Sequence, residues 1–227
     1  MSQSAVPGRD TVYVFLGRTD GDRPAAARRL LRRAGGTLLG RAEAEIRVRR
    51  DAAGRPLVDA GDAVELPVSV SHTGGIVVVA ARRGGGVGVD VERRRELPTL
   101  ALARRWYAPQ EAAWLRGRPP GQRVEAFLLL WTAKEAVGKA LGRGLRDGGL
   151  RRPMPVPGGP GELLRPVPGA GGLRVGHPRL PAGDGQAGDG PVPAGDLVLA
   201  GDLVLAGDLV LALAVDGPAD GVELVID

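Results

Sequence analysis

Of the 31 basic side chains in this 227-residue chain, two are lysines, and both fall within the single stretch WTAKEAVGK as Lys134 and Lys139. Arginine serves most exposed cationic positions. A compact ammonium that meets a phosphate oxygen or releases a proton is not replaced by a planar, permanently charged guanidinium. Two lysines kept together in an arginine-rich chain therefore point to chemistry on anionic oxygen, with chance clustering as the alternative. On a helix Glu135 and Lys139 share a face, and Lys134 sits about 100 degrees round from Glu135. Glu135 can then look toward a metal while both lysines look toward phosphate. The plainer reading of E-x-x-x-K is a surface helix pair worth a few tenths of a kcal/mol.

Two further segments carry polar groups at informative spacing. In GVGVDVE the strand period of two puts Val87, Val89 and Val91 on one face and Gly88, Asp90 and Glu92 on the other. Adjacent carboxylates repel unless a cation sits between them. Paired hard oxygens suit a magnesium ion that keeps waters and shares phosphate ligands; a solvated edge strand running into Arg93, Arg94 and Arg95 is the alternative. In SVSHTG, residues 69–74, His72 stands beside the hydroxyls of Ser71 and Thr73 and a glycine turn, all able to donate hydrogen bonds to a phosphate. A turn histidine satisfied by its neighbours is equally compatible. His177 lies in a Pro/Gly-rich stretch and is assigned no role.

The elements that must hold these groups can be read from pattern. Residues 11–16 and 45–49 read as strands, 68–70 as another, and 76–81 as a fully apolar buried strand that pairs with 87–92 through the glycines at 84–86. Helices are predicted over 24–39, 100–115 and 124–141, the last two separated by Arg118-Pro119-Pro120-Gly121. Residues 152–193 are dense in Pro and Gly and read as a loop, with part of 163–175 as a strand. The hexapeptide AGDLVL then occurs three times over 194–211. Slippage duplication explains it better than a stacked solenoid, so one copy suffices for a closing strand at 208–215 and the others form a loop.

Composition narrows the class. The length supports one good core or two small subdomains without disulfides, and cysteine is absent. With no signal peptide and no apolar run of membrane-spanning length, a soluble, cytoplasmic protein without a membrane partner is expected. A formal charge of +5 favours an anionic partner without choosing one.

The run VSVSHTGG, then GVDVE, then WTAKEAVGKALGRGL, resembles the phosphopantetheinyl transferases of the surfactin-synthetase-activating type. Gly54-Arg55-Pro56, RRWYAPQEAAWL and DLVLALAV extend the likeness, which covers roughly residues 24–150 and 208–215. The resemblance implies an α+β fold of two similar subdomains related by a pseudo-twofold, with a boundary near residue 85 (1–85 and 86–227). It implies magnesium held by Asp90, Glu92 and Glu135, and coenzyme A bound in the cleft between the halves. His72, Arg55, Ser71 and Arg28 would contact coenzyme A, with Arg29 as an alternative to Arg28. Lys134 would hold a phosphate oxygen, and Lys139 would neutralise or protonate the departing adenosine bisphosphate. Glu135, directly or through a metal-bound water, would be the base. Trp131 reads as a packing anchor.

The implied activity moves the phosphopantetheine arm of coenzyme A to a serine of an acidic acyl or peptidyl carrier protein, with the enzyme acting as a monomer. Another magnesium-dependent nucleotide transferase or hydrolase would share the carboxylates. A basic nucleic-acid-binding protein would explain Arg28 to Arg33, but the interleaved aromatics of such a surface are missing, and no nucleic-acid partner is expected. The family's aromatic after the serine-histidine pair is replaced by Gly75 and Ile76, and the AGDLVL repeats have no counterpart in it.

Overall fold

The computed structural model describes residues 10–61, 65–146, 148–157, 164–180 and 208–227. Among the described residues, ten strands and four α-helices form two sheets, a hairpin and two helical layers. The first sheet has the order β10-β1-β5-β4, built from β1 (Thr11–Arg18), β4 (Val68–Thr73), β5 (Ile76–Ala81) and β10 (Gly221–Ile226). The second has the order β6-β9-β8-β7, from β6 (Val87–Arg93), β7 (Arg165–Pro166), β8 (Leu173–Gly176) and β9 (Leu209–Asp216). Strands β2 (Arg47–Arg50) and β3 (Pro56–Asp59) make a separate hairpin.

Alternation along the central strands explains the layering. Val12, Val14, Leu16, Ile76, Val78 and Ala80 of the first sheet pack against Val87, Val89, Val91, Leu211, Leu213 and Val215 of the second. The opposite face of the first sheet, with Phe15, Val77 and Val79, is covered by Ala26, Leu30, Ala34 and Leu38 of α1 (Arg23–Leu39). On the outer face of the second sheet, Val175, Val210, Ala212 and Ala214 meet α4 (Arg123–Ala140). The fold is thus α+β, as expected, with a helix, a sheet, a second sheet and a helix in succession.

Local chemistry sets the helix limits. Asp22 accepts a hydrogen bond from the Ala25 N–H at 2.9 Å, Pro24 opens the first turn of α1, and Gly40 closes the helix at φ 67°. The single helix expected over 100–115 is two, α2 (Thr99–Trp106) and α3 (Pro109–Arg116). Pro109 keeps Ala108 out of the helical region and restarts the chain as a first-turn proline.

Two long-range arrangements differ from the expectation. Strands β5 and β6 do not pair across their glycine turn: β5 is already flanked by β1 and β4, and β6 pairs with β9 in the other sheet. The chain also does not divide cleanly at residue 85, because β10 returns to the first sheet and runs parallel to β1. Buried Arg82 anchors that return by donating to the backbone oxygens of Pro218 at 2.6 Å and Asp216 at 3.3 Å.

Strand β9 takes its first residues from the third AGDLVL copy, as the single-copy reading requires; the two earlier copies, and the loop expected of them, lie outside the described residues. No helix among the described residues is long and apolar enough to cross a membrane.

Candidate active site

The two glycine-rich stretches of the motifs have a steric task. The turn that follows α4 lies so close to it that a Cβ on Gly138 would sit 2.2 Å from the backbone oxygen of Gly144, and strand β6 lies so close to α4 that a Cβ on Gly88 would sit 1.9 Å from the backbone oxygen of Ala136. Only hydrogen fits at either position. This approach carries Asp90 and Glu92, which share the Gly88 face of β6, against the Glu135 and Lys139 face of α4.

Lys139 crosses the gap. Its Nζ donates to Asp90 Oδ1 at 2.8 Å and to the Val89 backbone oxygen at 3.0 Å. Asp90 is buried, and its Oδ1 also accepts from the Ser71 hydroxyl at 2.8 Å, whereas its Oδ2 is buried without a hydrogen-bond partner. Burial pushes the Asp90 carboxyl above its usual range, opposed by Lys139 and Ser71 and assisted by Glu92. Glu135 is half-buried, and its pKa is likewise raised, by burial first and then by Asp90, with Lys139 opposing and Glu92 adding.

The third carboxylate is engaged differently. Glu92 Oε2 accepts from Arg95 at 2.8 Å, and among the described residues no group of three potential ligands is gathered closely enough to hold a metal. An unpartnered buried Oδ2 beside a second raised carboxylate suits magnesium, which commonly takes one or two protein carboxylates and completes its shell with waters and phosphate. Asp90 and Glu135 are the pair that fits, and Glu92, with Arg95 on its Oε2, lies on the same face of β6 as Asp90.

The other sequence-chosen residues divide. Arg55, on the β2–β3 turn, donates to Asp51 at 2.6 Å, and its guanidinium lies against Gly142, just past the Lys139 end of α4. A cation from the first half is thereby placed beside the second. His72 is exposed near the end of β4, on the opposite strand face from buried Ser71, so the two do not form one polar knot. Arg28 is exposed on outer helix α1, away from the face packed on the sheet, and the neighbouring Arg29 pairs with Asp227 at 2.7 Å. The cluster at 93–95 is dispersed: Arg93 reaches the Gly74 backbone oxygen, Arg94 pairs with Glu125, and Arg95 with Glu92.

Lys134 does not look toward phosphate. Its side chain has no solvent exposure; Nζ donates to both carboxylate oxygens of Glu111 at 2.8 Å and to the Arg152 backbone oxygen at 2.6 Å. It also lies 5.0 Å from the centroid of the Tyr107 ring. A hundred-degree step round α4 points it at α3 instead of β6. Burial pulls its pKa below the usual lysine value, and Glu111 restores part of it.

Glu111, the acidic residue of the RRWYAPQEAAWL segment that extends the family likeness, was assigned no role in the sequence, and in the structure it is a buried tie between elements. It also accepts from the N–H groups of Ala108 at 2.9 Å and Met154 at 2.8 Å. Its position three residues after Ala108, at the start of a helix, was the available signal. Trp131 packs between Trp106 and Phe127, as an anchor should. A cavity of about 510 Å³ on the Lys134 side of α4, lined by Leu141, Arg143, Arg151 and Arg152 among others, contains none of the carboxylates.

The two motif segments thus bring a buried carboxylate on β6, held by Lys139, near a half-buried carboxylate on α4. Residues 86–155, which contain β6 and α4, match the family model of the 4'-phosphopantetheinyl transferase superfamily. The chain is 32% identical over 124 residues to the 4'-phosphopantetheinyl transferase HetI of Nostoc, covering 53% of this chain and 52% of that one. It is 32% identical over 97 residues to the 4'-phosphopantetheinyl transferase gsp of Aneurinibacillus migulanus (43% and 38%), and 27% identical over 145 residues to a 4'-phosphopantetheinyl transferase of Bacillus subtilis (64% and 63%). The alignments span between 35% and 63% of the length of the curated relatives that the chain matches.

Proposed function

We propose that this protein is a magnesium-dependent phosphopantetheinyl transferase of the surfactin-synthetase-activating type, which moves the 4'-phosphopantetheine arm of coenzyme A onto a serine of an apo acyl or peptidyl carrier protein. The observation that carries the reading is the buried Asp90 carboxylate, whose Oδ2 has no hydrogen-bond partner, near enough to Glu135 to raise its pKa and inside the segment that matches the superfamily.

Asp90 and Glu135 would hold the magnesium, which when bound neutralises charge on the pyrophosphate. The chain's residues then have distinct tasks. Arg55 supplies an exposed cation where the two halves meet, suited to a phosphate of coenzyme A. The carrier serine oxygen forms a bond to the phosphorus bearing the pantetheine arm, and the bond from that phosphorus to the adenosine bisphosphate oxygen breaks. The serine proton passes to Glu135, directly or through a water. Lys139, already at the carboxylates, offers positive charge to the leaving oxygens. Positioning and charge neutralisation supply most of the catalysis. The net charge of +5 suits an acidic carrier.

The test is to incubate the protein with coenzyme A, magnesium and a panel of apo carriers and to separate the products. Appearance of 3',5'-adenosine bisphosphate in step with holo carrier supports the reading. Coenzyme A consumption without carrier modification overturns it in favour of a hydrolase.

A further inference from the structure

Asp90 is oriented from the other half of the molecule. It lies on β6, the edge of the second sheet, next to β4, the edge of the first, and the two edges belong to different sheets. Serine hydroxyls on β4 bridge them instead of a backbone ladder. The Val89 N–H donates to Ser69 Oγ at 3.0 Å, and the Val91 N–H donates to Ser71 Oγ at 3.3 Å.

The second of these bonds fixes the direction of the Ser71 proton. A serine hydroxyl has one hydrogen to donate. With the Val91 N–H arriving as a donor, the Ser71 hydrogen is directed to Asp90 Oδ1 at 2.8 Å, and Lys139 Nζ meets the same oxygen at 2.8 Å. Two donors converge on Oδ1 and none on Oδ2. Both donors hold Oδ1, so the rotation of the carboxylate is restrained with Oδ2 left without a partner.

We propose that Ser71 is a positioning residue for Asp90, its hydroxyl aiming Oδ2 at the metal, and that it does not bind coenzyme A. This replaces the phosphate contact that the family resemblance implies for Ser71, and it rests on Asp90 being a metal ligand. Groups that orient metal ligands typically contribute about 10- to 100-fold to metal affinity. Ser69 makes a similar seam bond but does not touch Asp90, which separates seam stability from ligand orientation.

The test compares Ser71→Thr with Ser71→Val, which match in shape and differ in the hydroxyl, alongside Ser69→Ala and Asp90→Ala. The probe is Mn2+ alone, titrated against each full-length protein by electron paramagnetic resonance, with coenzyme A binding measured separately in chelator. Mn2+ affinity should stay near wild type in Ser71→Thr and Ser69→Ala and fall about tenfold or more in Ser71→Val, with metal-free coenzyme A affinity within twofold throughout. Equal Mn2+ affinity in Ser71→Thr and Ser71→Val, an equal fall in Ser69→Ala, or a selective loss of coenzyme A binding in Ser71→Val overturns the positioning role while leaving the metal site standing. Wild-type Mn2+ binding by Asp90→Ala overturns the metal site itself, and the role of Ser71 with it.

Discussion

Lys134 Nζ sits 2.8 Å from both carboxylate oxygens of Glu111, with neither side chain open to solvent beyond 1%. The pair ties α4 to α3, and Glu111 extends the tie to the backbone at Ala108 and Met154. A lysine five residues from Lys139 in sequence is thus part of the core.

Removing one member of such a pair leaves a buried charge without its counterion. Lys134→Ala is expected to lower stability by about 3–5 kcal/mol, read from urea unfolding midpoints, while the folded fraction binds coenzyme A with wild-type affinity. A stable Lys134→Ala protein with weakened coenzyme A binding would return this lysine to the phosphate site.

Asp90→Asn keeps the shape of the side chain and the acceptor for Ser71 and Lys139, and removes the charge. Transfer activity should fall about a hundredfold or more, since the metal's charge stabilisation amounts to several kcal/mol. Stability without metal should respond in the opposite sense. A carboxylate whose pKa is raised by burial stabilises the fold fully below its unfolded value and loses that contribution as pH rises through the folded one. The metal-free wild type should therefore lose melting temperature as pH rises from about 4, and Asp90→Asn should lose less. A steeper loss in the variant would contradict the burial of this charge.

Lys139 contacts both Asp90 and the Val89 backbone, a geometry made for a compact ammonium. In Lys139→Arg the longer planar fork displaces those contacts and is a far poorer acid. The transfer kcat should drop roughly a hundredfold, with a smaller change in the coenzyme A dissociation constant because Arg55 and the metal remain. An unchanged kcat would reduce Lys139 to a structural cation.

Gly88 sets the spacing of strand and helix. A methyl group there would approach the Ala136 carbonyl to 1.9 Å, so Gly88→Ala must push α4 from β6. Overpacking of this kind costs about 1–3 kcal/mol or more. Chemical unfolding should show that loss together with reduced transfer, since Glu135 and Lys139 move with the helix. Wild-type stability would show that the contact relaxes freely.

The sequence made some of this legible and hid the rest for physical reasons. Alternation in GVGVDVE was readable because β6 separates two unlike environments: Val87, Val89 and Val91 enter the inter-sheet core, while Gly88 and Asp90 face α4. The common face of Glu135 and Lys139 followed from helical spacing. Lys134 was misdirected because α4 is buried on several sides, so its sequence does not say which neighbour a polar residue meets; only the position of α3 does. The expected pairing of β5 with β6 failed because a glycine turn is a local signal, and the distant β1 holds the place beside β5. Ser71 was noticed for its company with His72, yet strand alternation sends the two to opposite faces.

The proposed activity is transfer to a carrier serine by way of magnesium and coenzyme A brought together at Asp90 and Glu135. Its most direct test is the intact mass of an apo carrier after incubation with coenzyme A and the wild-type protein, with magnesium and with chelator, beside Glu135→Gln under the same conditions. The carrier should gain one phosphopantetheine with wild type and magnesium, and remain apo with chelator or with Glu135→Gln. Full conversion by Glu135→Gln, or equal conversion in chelator, would exclude that role for Glu135 or for the metal.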